Sequence, residues 1–109
     1  MAFDTPLADR IRKQLGKRAG LVEKKMFGGL AFLLKGNMCV GVHRDEMILR
    51  IDPADTDRVL KEKHTRLFDL TGRPMKGWIL VGPKGLATDG ALAKWVGMGV
   101  KYAASLPPK

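Results

Sequence analysis

Lys25-Met26-Phe27-Gly28-Gly29-Leu30-Ala31-Phe32, continued by Asn37-Met38-Cys39-Val40-Gly41-Val42, is the stretch that decides the fold. A glycine pair stands at the head of one apolar run, and a second run follows after one short turn. Glycines interrupt strands where the backbone bulges, bends or approaches another group closely. Val22–Met26 is either a separate strand or the first half of one long strand bulged at Gly28-Gly29; the long bulged strand is favoured, with Met26 or Phe27 seated against a helix. Lys35-Gly36-Asn37 and Arg44-Asp45-Glu46 have hairpin length and turn composition. An antiparallel meander through Leu30–Leu34, Met38–His43 and Met47–Ile51 follows. Alternation puts Met38, Val40 and Val42 on one face with Met47, Leu49 and Ile51, and Cys39, Gly41 and His43 on the reverse.

Working outward, Asp4-Thr5-Pro6 opens a helix, because Asp4 or Thr5 can cap it and proline is tolerated in the first turn. Leu7, Ile11 and Leu15 give it an apolar face, and Gly16 or Gly20 ends it. Asp52-Pro53 begins a second helix, and His64 ends it as a favourable C-terminal charge. Arg66–Leu70 and Lys76–Val81 read as strands around a turn at Thr71-Gly72-Arg73-Pro74. Thr88 or Asp89 caps the last helix, whose Leu92, Trp95, Val96, Gly99, Ala103 and Leu106 recur at helical spacing. Gly97 and Gly99 inside it imply close packing or a bend. The expected order is α-β-β-β-α-β-β-α: an α+β two-layer sandwich with an antiparallel sheet and helices on one face.

A chain of 109 residues fits one domain spanning 1–109. Cys39 is its single cysteine, so no internal disulfide forms and a reducing compartment is indicated. No signal peptide or membrane span is legible, which points to the cytoplasm and away from membranes. The net charge of +9 is the unusual quantity. It favours polyanionic partners such as nucleic acid. Arg10, Lys13 and Lys17 share a helix face, and Arg18, Lys24 and Lys25 extend the basic set. The same stripe also suits the solvated side of an amphipathic helix.

Catalytic chemistry finds little support. Cys39 and His43 are four residues apart in a strand, about 13 Å between Cα atoms, too far for a nucleophile and its base. With His64 they offer no chelating spacing, so neither a metal nor another cofactor is expected. Gly82-Pro83-Lys84-Gly85 matches a phosphate-binding GXXG string, but it joins a strand to a helix and reads as an ordinary turn. Phe27, Phe32, Trp78 and Trp95 lie in apolar periodic segments and are assigned to the core.

At Lys25-Met26-Phe27-Gly28-Gly29 the chain resembles the N-terminal domain of TfoX (Sxy), a family of bacterial regulators of natural competence. Gly36–Val42, Leu49-Arg50-Ile51-Asp52-Pro53, Met75-Lys76-Gly77-Trp78 and the tail Ser105–Lys109 follow the same pattern in the same order. The resemblance implies the α+β arrangement already derived. It also implies a coactivator role beside a transcription regulator such as the cyclic-AMP receptor protein. Full-length members carry a second, helical domain, and this chain reads as a single-domain member. No catalytic residues transfer, so Met26, Phe27, Gly28 and Gly29 carry over as structural markers. The first expectation is therefore a non-enzymatic regulatory or protein-interaction module, monomeric or homodimeric. The alternative is weak, sequence-nonspecific nucleic-acid binding through Arg10, Lys13, Lys17, Arg18, Lys24 and Lys25. A small enzyme using Cys39 is the third.

Overall fold

The computed structural model describes residues 4–26, 28–69 and 75–108. Helix α1 (Thr5–Leu15) begins where Asp4 Oδ1 accepts the Leu7 N–H at 3.0 Å, and it stops at Gly16, whose φ of 60° a side chain would resist. Four strands follow: β1 (Leu21–Met26), β2 (Gly29–Leu34), β3 (Asn37–His43) and β4 (Glu46–Arg50). A 3-10 turn at Pro53–Asp55 leads into the short helix α2 (Thr56–Leu60). Strands β5 (Thr65–Phe68) and β6 (Met75–Val81), a second 3-10 turn at Pro83–Leu86 and helix α3 (Asp89–Ser105) complete the order. Thr88 caps α3 by accepting the Ala91 N–H. The α+β architecture holds, with helices packed against one face of a six-stranded antiparallel sheet ordered β1-β2-β3-β4-β6-β5.

Four strands, not three, precede the second helix. The expected long bulged strand is instead a hairpin, with Met26 paired to Gly29 across a two-residue connection. Gly28 has a φ of 71°, the left-handed conformation that such tight turns demand. Gly29 is glycine for a different reason. A Cβ there would stand 2.1 Å from the Val42 carbonyl oxygen of β3. Phe27 lies outside the described residues, as do the expected turn at Thr71–Pro74 and Leu70.

The bulge exists one strand later. Phe32 pairs with Val40 and Leu33 with Met38, leaving Cys39 as the extra residue of β3. The extra residue shifts the alternation by one. Cys39 therefore packs with Val40 and Val42 beneath the helices, and Met38 turns to the other face, the reverse of the assignment made from period two. Helix α3 packs directly against the distortion. At Gly99 it comes so close to β3 that a Cβ would meet the Cys39 carbonyl oxygen at 2.4 Å. The bulge and the helical glycine thus form one contact. Gly97 is exposed, and a Cβ there would meet nothing within 4 Å, so it plays no comparable part.

Two apolar clusters result. The helix-side cluster joins Leu7, Ile11 and Leu15 of α1 and Leu92, Trp95 and Val96 of α3 to Phe32, Leu49 and Ile79 of the sheet. Each such fully buried side chain contributes about 1.5–3 kcal/mol. The second cluster, on the opposite face, holds Ala31, Met38, Ile48, Phe68 and Leu80. His64 lies past the end of α2 in the turn before β5, with a φ of 68°, so it does not act as that helix's terminal charge.

Candidate interaction surface

The pairing registers align residues into rows across the sheet. On the face away from the helices one row runs Lys24, Ala31, Gly41, Ile48, Leu80 and Arg66. No described helix contributes to the cluster on this open side. Its centre is closed by its own side chains. Gly41 leaves room for Met38, whose terminal methyl lies 2.7 Å from where a Cβ would stand. Around that centre Met26, Leu33, Met75 and Trp78 are only partly buried. Periodicity assigns Trp78 to the core. It instead stands at the margin of the open face, 6.0 Å from the Phe68 ring, with the Arg50 guanidinium 5.1 Å from its own ring centre. Arg50 also lies 5.6 Å from the Tyr102 ring. At the far margin Arg66 bridges Glu46 at 2.8 Å and Asp69 at 3.1 Å, and the Glu46 hydrogen bond holds the Arg66 guanidinium above its ordinary pKa. The open side thus presents partly exposed aromatic and thioether groups, with Lys24 and Arg50 at its margin and Arg66 paired to Glu46 and Asp69.

The basic residues expected from the sequence do not converge. Arg10 reaches Asp89 at the start of α3, 3.4 Å away. Arg18 turns back to donate to the Leu15 carbonyl at the end of α1. Lys13 and Lys17 are exposed on α1 and just beyond its end. Lys24 and Lys25 project to opposite faces of β1, because Lys24 pairs with Ala31 and Lys25 with Leu30. No described carboxylate pairs with Lys13, Lys17, Lys24 or Lys25.

The residue that ties α1 to β1 is Arg12, which spacing did not single out. Its Nε and Nη2 each sit 2.8 Å from one oxygen of Glu23, and Nη1 reaches Asp9. The Arg12 fork holds the Glu23 carboxyl below its usual pKa, and Glu23 in turn raises that of Arg12. Nothing local in the sequence announces a pair that joins two different elements.

The buried thiol has no nucleophilic apparatus around it among the described residues. Cys39 is fully buried, and its Sγ–H donates to the Phe32 carbonyl at 3.3 Å. Burial pushes its pKa up, the direction that suppresses thiolate. The Gly82–Gly85 loop is a packed turn, since the Gly85 carbonyl accepts the Trp95 indole N–H at 3.1 Å. No cluster of three or more metal-ligating side chains occurs among the described residues. An open cleft of about 270 Å³ between Asp52, Asp55 and Arg58 on one wall and Met98, Lys101 and Tyr102 on the other has mixed charge, with Arg58 and Asp55 3.6 Å apart. No described helix is long and apolar enough to cross a membrane.

Compared with known proteins, residues 13–103 match the family model of the TfoX N-terminal domain. No curated protein and no solved structure matches the chain.

Proposed function

Because the chain belongs to the TfoX N-terminal domain family, we propose that it is a non-enzymatic interaction module of the cytoplasm, working in transcription or competence regulation. That family is known from competence regulation. The observation that carries the reading is the open side of the sheet. Partly exposed Trp78, Met75, Met26 and Leu33 surround a small apolar centre, and Lys24, Arg50 and Arg66 stand at its margin. Aromatic and methionine side chains with arginine are the groups that anchor protein interfaces. An acidic, partly apolar surface on a transcription regulator, the cyclic-AMP receptor protein being the first candidate, has the complementary chemistry.

Titration of the purified receptor protein against the wild type and Trp78→Ser tests this. Binding that falls about tenfold or more in the variant, with an unchanged melting temperature, supports it. A regulator bound equally by both forms argues against the open side as the contact.

The second reading is direct nucleic-acid contact, favoured by exposed Lys13 and Lys17, which no described carboxylate pairs, and by the +9 charge. Duplex DNA binding whose log affinity falls steeply with log salt, and which Lys13→Glu with Lys17→Glu weakens across sequences, supports that reading. Absence of binding at low salt removes it.

A further inference from the structure

Strand β1 is an edge of the sheet, and it carries Val22, the large hydrophobic residue most exposed among those described, at 58 %. An edge strand offers a row of unpaired backbone groups to any strand that can lie beside it. Which groups point outward follows from one hydrogen bond. The Gly20 carbonyl accepts the Lys35 N–H at 2.8 Å. Antiparallel alternation then turns the peptide groups of Val22, Lys24 and Met26 toward β2 and those of Glu23 and Lys25 outward.

Read along β1, the sequence is Val22-Glu23-Lys24-Lys25-Met26. From the outward peptides and this order of side chains, we infer that β1 pairs antiparallel with β1 of a second copy of the chain, about a two-fold axis through Lys24. In that register Glu23 of each copy exchanges both backbone hydrogen bonds with Lys25 of the other. The two carboxylate-ammonium pairs lie on the helix side, where each Glu23, already held by Arg12 of its own chain, also faces the partner's Lys25. Val22 of each copy meets Met26 of the other on the open side, covering the exposed valine. Parity supports the choice, since a two-fold axis perpendicular to the sheet must pair residues of the same face. Shifting the centre to Glu23 would juxtapose two glutamates, and centring on Lys25 would juxtapose two lysines; either loses both Glu23–Lys25 pairs, which only the Lys24 centre sets against its own lysine pair. One unfavourable contact remains, Lys24 against Lys24. Together with the repulsion between two +9 chains it makes the dimer weak and concentration-dependent. The interface shares Met26 and Lys24 with the margin of the partner surface proposed above, and Lys25→Glu, on the helix side, tests the dimer apart from Trp78→Ser.

Charge exchange tests the register. Lys25→Glu sets a second carboxylate opposite Glu23 in both cross-strand pairs and is expected to weaken self-association about tenfold or more. Glu23→Lys does the same with ammonium groups. Mixing the two variants recreates opposite-charge pairs at both 23–25 positions, so a heterodimer stronger than either homodimer is expected by sedimentation equilibrium. Lys24→Thr removes the like-charge contact and should strengthen the wild-type dimer several-fold. Lys25 is exposed, so circular dichroism should show Lys25→Glu folded as the wild type. Monomers at every concentration for both wild type and Lys24→Thr, or a dimer indifferent to Lys25→Glu, would overturn the inference.

Discussion

The two faces of the sheet are closed by different means. On the helix side, α3 approaches β3 until backbone meets backbone, with Gly99 against the Cys39 carbonyl, and three helices seal the layer. On the open side, Met38, Phe68 and Trp78 lie over Ala31, Ile48 and Leu80 without a described helix above them. A helix-sealed layer cannot relax around a defect, whereas a layer capped by flexible side chains can settle into one. The faces therefore differ in tolerance as well as in exposure, and tolerance is what a binding face needs.

Equal truncations on the two faces give the largest effect and the sharpest comparison. Leu49 and Leu80 are both fully buried, in adjacent strands, one on each side. Leu49→Ala should cost about 3–5 kcal/mol, because the cavity is held open by α3 and β3. Leu80→Ala should cost nearer ~2 kcal/mol, as thioether and indole groups move in. Urea unfolding of both variants checks this, and equal losses would break the distinction between the faces.

The next effect is smaller and changes sign within one helix. Gly97 and Gly99 both interrupt α3, and alanine at either gains up to about 1 kcal/mol of helix propensity. At Gly97 nothing opposes the gain, so Gly97→Ala should raise the melting temperature by a few degrees. At Gly99 the new methyl collides with the Cys39 carbonyl, costing about 1–3 kcal/mol and outweighing the gain. Thermal melts showing both variants stabilised would mean that α3 can lift from β3, and the helix side would not be the rigid one.

These contacts also mark how far the sequence could be read. The apolar runs, the strand break at Asp52-Pro53, the turn at Gly82-Pro83, the cap positions at Asp4 or Thr5 and at Thr88 or Asp89, and most of the face of α3 are legible, because each rests on groups a few residues apart. The bulge at Cys39 is not, since the contact it makes is with Gly99, far along the chain in another element. Period two therefore sends Cys39 and Met38 to the wrong faces. The hairpin at Gly28 reads as a bulge because its connection lacks an Asn-Gly or Asp-Gly signature. Among the basic residues, helical spacing recognises the common face of Arg10 and Lys13. It cannot show that Asp89 of α3 takes Arg10, or that Arg12 reaches Glu23 on another element. The open face escapes for a related reason: Trp78 has the same pattern in sequence whether or not a helix covers it.

The smallest effect lies at the margin of the helix side, where charge rather than packing joins α1 to β1. Glu23 has its folded pKa lowered by Arg12, so the pair contributes stability above the unfolded carboxylate value near pH ~4.3. That contribution is lost as pH falls through the lower folded value. Both side chains are 40 % exposed, and solvent screening limits the effect to less than about 1 kcal/mol. Arg12→Ala should therefore be slightly less stable than the wild type at neutral pH. The gap should narrow below about pH 4 and also shrink in high salt. Urea midpoints at neutral and acidic pH measure it. A gap that stays constant would assign the loss to the packing of the arginine stem against β1, and the helix side would then be held by contact alone even at its edge.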